Sequence, residues 1–463
     1  MNNTHHTDTI AAPATAQAVA AIALIRVSGP EAFTSVFSLF TPAKKSLSLD
    51  NIESHKAYFG NIVDGETLVD EVLITFFKGP HSFTGEDTVE ISCHGSLFIL
   101  NEILRLLIGK GLRMAAPGEF TMRAFMNGRM DLSQAEAVAD VIASASAAQH
   151  KLAMQQLKGS FSKEIQHLRQ ELIDFAALIE LELDFGEEDV EFADRTRLKA
   201  LLAAIRSTVV SLIESFAYGN AIKNGIPVVI AGKPNAGKST LLNALLKEER
   251  AIVSEIAGTT RDTIEEVMVI DGIQFRFIDT AGLRETTDTI EKIGVERSYE
   301  KIKNAAILLY LIDSSNLTEE EWQKELTTAE TLGQNSSSFL ILANKSDVFS
   351  AEIDEKTLKN DKILKISAKN GTEIETLKNR LQKLANVDKN TGEIVVTNLR
   401  HYEALKNTLE ALNRVGESID QNISGDFLVI DLRKALYHLG EITGQITPDD
   451  ILGSVFSRFC IGK

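Results

Sequence analysis

The segment Gly232-Lys233-Pro234-Asn235-Ala236-Gly237-Lys238-Ser239 constrains this chain more tightly than any other. It follows the apolar run Pro227-Val228-Val229-Ile230, which reads as a strand, and it leads into a helical pattern. A glycine-rich turn in that setting, with that spacing and a terminal Lys-Ser, is a phosphate cradle. Its glycines let successive backbone N–H groups converge on an oxyanion, and its lysine adds a point charge. A chain carrying it needs a largely parallel α/β layer around the loop.

Further motifs follow in a fixed order. Lys238 is placed for the β and γ oxygens of a nucleotide and Ser239 for Mg²⁺, with Thr240 next along the helix. Thr259-Thr260 stands where a first switch belongs. Asp279-Thr280-Ala281-Gly282 ends a second apolar strand, 275–278, where a metal-facing aspartate and a γ-phosphate-sensing glycine N–H are expected. Asn344-Lys345-Ser346-Asp347 closes a third, 339–342. Asp347 can accept from both N1–H and the 2-amino group of guanine; adenine offers neither, so the base read is guanine. Ser367-Ala368-Lys369 is the matching loop at the guanine edge. Leu283 occupies the place where Ras-type enzymes keep a water-orienting glutamine, so either hydrolysis is feeble or another group takes over. Arg261 and Arg284 fall in the two switch regions and read as exposed residues rather than as arginine fingers.

At 463 residues the chain calls for about three domains. From 10 to about 125, β-rich runs alternate with helical ones: 72–77 and 88–92 read as strands, 97–108 as a helix. Near Asp131 the character changes. Ser133 and Glu136 suggest a capping box opening an Ala-rich helix. Ile165, Leu168, Leu172, Phe175, Ile179 and Leu183 mark one face of an amphipathic helix. The acidic cluster Glu187, Glu188, Asp189 and Glu191 reads as a solvated loop, and 198–222 as another helix. Beyond the nucleotide domain come helices at about 399–418, 426–441 and 447–459, the last with Thr447 as cap and Pro448 in its first turn. The expected architecture is an α/β N-terminal domain (1–125), a helical domain in two segments (126–222 and 389–463), and a nucleotide domain inserted between them (223–388).

A net charge of −17 argues against tight non-specific nucleic-acid binding, although a basic partner could carry that contact. Cys93 and Cys460 are too few for a disulfide framework and suit a reducing cytoplasm. The apolar stretch 10–25 lacks a preceding basic residue, contains Pro13 and Gln17, and runs into Arg26; it reads as one or two buried strands rather than a signal peptide. Elsewhere no run reaches the roughly 18 uncharged apolar residues of a membrane span.

Several flanking segments carry a family resemblance across nearly the whole chain. Ile256-Ala257-Gly258-Thr259-Thr260-Arg261-Asp262, the run 279–285, the ending Phe459-Cys460-Ile461-Gly462-Lys463, Ser82-Phe83-Thr84-Gly85-Glu86-Asp87 and Pro117-Gly118-Glu119-Phe120-Thr121 resemble the MnmE (TrmE) family. That family comprises bacterial tRNA-modification GTPases. The resemblance implies a tetrahydrofolate-binding N-terminal domain through which two copies dimerise, and a Ras-like GTPase domain. It implies hydrolysis of GTP with Mg²⁺ and K⁺. It also implies modification of C5 of the wobble uridine with a 5-formyl- or methylene-tetrahydrofolate donor and the FAD-bearing partner MnmG, in a heterotetramer or larger complex acting on tRNA in the cytoplasm.

Residue by residue, the resemblance makes Asn235, Ser254, Ile256 and Thr259 the K⁺ ligands and Ser239 and Thr260 the Mg²⁺ ligands. Lys238, Thr260 and Glu291 become the catalytic set, Glu291 orienting water in place of the missing glutamine. The nucleotide-binding set is Asn235, Ala236, Gly237, Lys238, Ser239, Thr240, the segment Ser254-Glu255-Ile256-Ala257-Gly258-Thr259-Thr260, Asp279, Thr280, Ala281, Gly282, Asn344, Lys345, Asp347, Ser367, Ala368 and Lys369. Arg26, Glu90, Arg129 and Lys463 match folate-contacting positions; Arg129 stands where lysine is usual, and His94-Gly95-Ser96 replaces His-Gly-Gly. Cys460 reads either as an inert thiol or as a functional one near the tRNA or folate site. Two other readings stay open at this point: a ribosome-assembly switch resembling Era or Der, from which the chain departs by lacking a basic Gly-x-x-Gly module, and a GTP sensor.

Overall fold

The computed structural model describes residues 8–185, 195–248, 265–279, 305–334, 338–348, 361–385, 394–421, 423, 425–446, 449–457, 459 and 462. They fall into two compact units. One comprises Met1–Ala139, Gln156–Ile205 and Asn407–Lys463; the other comprises Asp140–Gln155 and Arg206–Lys406.

The first unit begins with β1 (Ile10–Pro13), β2 (Ala20–Ser28), α1 (Ala32–Phe37), β3 (Phe40–Pro42), β4 (Lys56–Asp64), β5 (Thr67–Phe77), β6 (Thr88–Gly95), α2 (Leu97–Gly109), β7 (Arg113–Met114) and α3 (Glu119–Met126). Its sheet runs β3-β4-β5-β6-β2-β1-β7. All neighbours are antiparallel except β1 and β7. Alternation in β5 sends Val72, Ile74 and Phe76 into a core shared with Ile103 and Leu107 of α2, while Glu71 and Leu73 face out. Strands and helix thus stand where periodicity put them. The apolar stretch 10–25 needs correction: β1 is buried, but Val19 and Ile22 are exposed. Apolar composition alone does not say which face of a chain meets a core.

The helical run continues with α4 (Leu132–Ala143), α5 (Ala147–Leu157), α6 (Ser160–Phe185) and α7 (Arg195–Asn224). The capping box at the start of α4 is not Ser133 with Glu136. Asp131 is the cap: its Oδ1 accepts from the Gln134 N–H at 2.9 Å, and the Asp131 N–H donates to Gln134 Oε1 at 3.1 Å. Ser133 Oγ instead shares a hydrogen bond with Ser162 at 2.8 Å. Both four-residue patterns satisfy the rule, and only the backbone path decides which residue is non-helical. In α6 the anticipated stripe is buried from Ile165 to Ile179. Part of α7, Leu198–Asn224, is the one helix among the described residues long and apolar enough by composition to cross a membrane; Arg206 and Glu214 interrupt it.

The second unit adds β8 (Ile226–Gly232), α8 (Lys238–Glu248), β9 (Glu265–Ile270), β10 (Ile273–Asp279), β11 (Ile307–Asp313), α9 (Glu319–Gly333), β12 (Ser338–Asn344), β13 (Ile363–Lys365) and α10 (Ile374–Leu384). Its sheet order is β13-β12-β11-β8-β10-β9. Every pair is parallel except β9–β10. The central strands β8, β11 and β12 are buried on both faces, as continuous apolar runs of a parallel sheet require. Leu241 and Leu245 of α8 and Leu377 and Leu381 of α10 cover one face. Trp322 and Ala329 of α9 cover the other.

The chain ends with α11 (Leu399–Asp420), α12 (Gly425–Thr443) and α13 (Asp449–Phe456). Within the first unit, α12 packs along α6. A helix that precedes the nucleotide domain is thereby joined to one that follows it. The last helix is shorter than expected, and its anticipated cap, Thr447-Pro448, lies outside the described residues.

Candidate functional site

The phosphate loop leaves β8 at the centre of the sheet and enters α8. Gly232 and Gly237 sit at φ 144° and 99°, and Asn235 at 62°. A Cβ at Gly232 would run into the Leu311 carbonyl and one at Gly237 into the Asn344 amide, so only glycine fits either place. Asparagine tolerates the left-handed conformation of this exposed residue, and its amide carries an oxygen of the kind a hard cation takes. Lys238 Nζ donates to the carbonyls of Gly232 at 2.8 Å and Lys233 at 3.0 Å. Ser239 and Thr240 lie exposed in the first turn of the helix. Asp279 ends β10 in register with Ile230 of β8, so the strand leading to Thr280-Ala281-Gly282 finishes beside the cradle.

Asn344 ties the phosphate loop to the segments expected to read the base. Its buried amide donates through Nδ2 to the Ala236 carbonyl at 2.8 Å and accepts through Oδ1 from the Ala368 N–H at 3.0 Å. Lys345 Nζ pairs with Asp313 Oδ2 at 2.5 Å. Burial pushes the Asp313 carboxyl up, but hydrogen bonds from Lys345 and Ser315 outweigh it and hold the group ionised. The Ser367 hydroxyl donates to Asp347 Oδ1 at 2.7 Å; that bond is the main reason the Asp347 carboxyl lies below its ordinary range, and Lys369 adds a favourable charge. A carboxylate held ionised and aimed by a hydroxyl is an acceptor for two neighbouring N–H groups. Ser254, Glu255, Ile256, Ala257, Gly258, Thr259, Thr260, Thr280, Ala281, Gly282 and Glu291 lie outside the described residues, with Arg261, Leu283 and Arg284; so do the acidic cluster 187–191, Cys460 and Lys463.

In the first unit, Arg26 and Glu90 face each other across β2 and β6. Arg26 donates from Nε and Nη2 to Glu90 Oε1 at 3.0 and 2.8 Å. Both bonds end on Oε1; among the described residues Oε2 takes none. The guanidinium lies over the rings of Phe83, 5.2 Å, and Phe120, 5.8 Å. Arg129 rests against Gly85, where an added Cβ would stand 3.3 Å from its Cγ. Gly462, next to Lys463, packs so closely on the Pro13 carbonyl that only glycine fits. A carboxylate beside a guanidinium and aromatic rings, one oxygen untaken among the described residues, suits a pterin's amino-pyrimidine edge.

Sequence reading named the Ser-Phe-Thr-Gly-Glu-Asp and Pro-Gly-Glu-Phe-Thr segments without a role for them. Arg123 supplies it. Its buried guanidinium reaches Asp8 at 2.6 Å, Glu119 at 3.1 Å and Glu86 at 3.3 Å. Arg113 also holds Glu119, at 2.7 Å. Glu86 and Glu119 come from the two segments that also carry Phe83 and Phe120, so this network sets the rings beneath Arg26. An arginine four residues after Glu119 was the one available signal, and it reads equally well as a surface helix pair. Cys93 is buried; burial, then the Asp70 charge, pushes its thiol up to about 11, which makes it inert.

Two family models match the chain: "GTP-binding protein TrmE N-terminus" over residues 9–129 and "MnmE helical domain" over 132–460. A tRNA modification GTPase MnmE of Cytophaga hutchinsonii is 53% identical over 461 residues, 99% of each chain. Those of Christiangramia forsetii and Bacteroides fragilis are 52% and 51% identical over 98% of this chain and 99% of theirs. The full-length relatives and the helical-domain model, on a chain whose phosphate loop rises from a mostly parallel sheet, show that the chain belongs to the MnmE family of tRNA modification GTPases.

Proposed function

We propose that this chain couples K⁺-dependent GTP hydrolysis to modification at C5 of the wobble uridine, position 34, of certain tRNAs, giving (carboxymethyl)aminomethyluridine. It acts with a tetrahydrofolate one-carbon donor and the FAD-bearing partner MnmG, as a cytoplasmic homodimer within a larger complex. The domains are 1–125 for folate and dimerisation, 126–222 with 389–463 for the helical part, and 223–388 for GTP.

Asp347, aimed by Ser367, selects guanine. Lys238 leaves the Gly232 and Lys233 carbonyls for the β and γ oxygens. Ser239 and Thr260 hold Mg²⁺, while Asn235, Ser254, Ile256 and Thr259 hold K⁺. The cations supply positive charge toward the transferring phosphoryl group, a contribution of the kind an arginine finger makes, up to about 10⁵-fold in rate. Glu291 orients the attacking water where Leu283 cannot. None of these residues offers one-carbon or redox chemistry, so hydrolysis serves conformational change. Arg26, Glu90, Arg129 and Lys463 would bind the folate, Glu90 offering a carboxylate to its amino-pyrimidine edge.

The observation that carries the reading is the Arg26–Glu90 pair with the rings of Phe83 and Phe120 beneath its guanidinium, which a GTP switch alone has no use for. The test is mass spectrometry of wobble uridine from cells lacking this chain, complemented with the parent or with Glu90→Gln. Restoration by the parent and failure of Glu90→Gln is expected. A wobble-uridine modification that persists unchanged in the deletion strain would refute the reading, and full activity of Glu90→Gln would refute the folate assignment.

A further inference from the structure

Lys233, the second residue of the phosphate loop, belongs to none of the nucleotide-reading positions. Its ammonium ends 2.5 Å from Glu325 Oε1 on α9. Glu325 is buried, with its side chain 6% exposed against 70% for Lys233. Its other oxygen takes the Tyr310 hydroxyl at 3.0 Å. Tyr310 lies in β11 opposite Ala231 of β8, one residue before the loop begins. Burial, reinforced by the Glu325 charge, pushes the Tyr310 hydroxyl well up and keeps it a donor. The hydrogen bond to Glu325 raises the Lys233 ammonium, with Glu321 adding attraction.

A buried carboxylate is tolerated only when it is paired. The flexible, exposed lysine is therefore placed by Glu325, not the reverse. The backbone of this same Lys233 supplies one of the two carbonyls on which Lys238 rests. From Gly232 to Gly237 three residues stand at positive φ, two of them glycines whose freedom in the unfolded chain makes the loop costly to order, so an anchor helps to hold its shape.

We propose that Glu325 is a positioning residue for GTP: through Lys233 it pins the first turn of the phosphate loop and fixes the point from which Lys238 moves onto the phosphates. Tyr310 aims the carboxylate.

The experiment uses the full chain and compares Lys233→Met, which keeps the stem and loses the charge, with Glu325→Gln, which keeps the shape, and with the double variant. Fluorescent-GDP affinity, KM and kcat for GTP, and the urea midpoint are measured for each. Each single substitution is expected to raise Kd and KM roughly tenfold, the scale on which partners acting through another residue move affinity. The loss falls more on KM than on kcat, as for lost ground-state binding. The double variant is expected to be no weaker than the worse single, because the two remove one interaction. Lys233→Arg, which keeps the charge, restores affinity. A purely structural pair would lower the urea midpoint and leave KM in place. Should Lys233→Met bind GDP within twofold of the parent, the proposal fails; since that side chain is largely exposed, this variant decides the matter even if Glu325→Gln does not fold.

Discussion

Replacing Asn344 by alanine tests whether one amide joins phosphate and base recognition. The side chain bridges the Ala236 carbonyl and the Ala368 N–H at 2.8 and 3.0 Å, and both residues are buried. Alanine strands a buried acceptor and a buried donor, at about 1–3 kcal/mol each, or roughly 2–6 kcal/mol together. The strand pairing of Asn344 and the Ser314 bonds to its carbonyl survive, so the sheet stays intact. What is lost is the shared fixing of the phosphate loop and the guanine loop, which nucleotide binding then has to re-impose. If about 2–4 kcal/mol of the cost appears that way, guanine-nucleotide affinity falls roughly 30- to 700-fold. Asn344→Asp keeps the acceptor for Ala368 but sets an anionic oxygen against the Ala236 carbonyl, so it is expected to do no better. Fluorescent-GDP titration beside a urea melt measures both effects. A dissociation constant within threefold of the parent, in a folded Asn344→Ala protein, would refute the bridging argument.

Asp347→Asn exchanges one acceptor for a donor and should weaken GTP binding by at least about 10²-fold while admitting xanthosine triphosphate, as competition binding would show; the exposed setting of Asp347 keeps the loss below the roughly 10⁴ of a sealed site. Glu119 and Asp8 are pushed up by burial but held down more strongly by Arg113 and Arg123. Their folded values lie below their unfolded ones, so this stability is complete above the ordinary carboxylate range and lost as pH falls through the depressed values. Glu119→Gln should cost about 3 kcal/mol at neutral pH by under-compensating buried Arg123, and should flatten the acid limb of urea midpoints taken from pH 7 to 2. In a Cys460→Ser background, Cys93 should resist alkylation at pH 8 while the urea-unfolded chain reacts readily, because the folded thiol stays protonated until about pH 11.

The chemistry of the nucleotide site was legible because its elements are short and local. A glycine at the turn, a lysine at the helix start and an aspartate at a strand end each declare themselves within a few residues, and their order along the chain fits a parallel sheet. Long periodic elements such as β5, α2 and α6 were legible for the same reason: burial of one face imposes its own repeat. Where two local patterns competed, only the folded backbone chose, as in the shift of the α4 cap from Ser133 to Asp131. The fate of Val19 and Ile22 likewise depended on which surface the rest of the chain left open, which no apolar run encodes. Contacts between remote segments were beyond reach altogether. Lys233 and Glu325 meet only because β8, β11 and α9 stack, and Arg123 gathers Asp8, Glu86 and Glu119 only because the sheet brings three separated segments to one end. Local spacing determines which chemistry a segment can perform; burial of charge, which forces distant partners together, is a property of the whole packed chain.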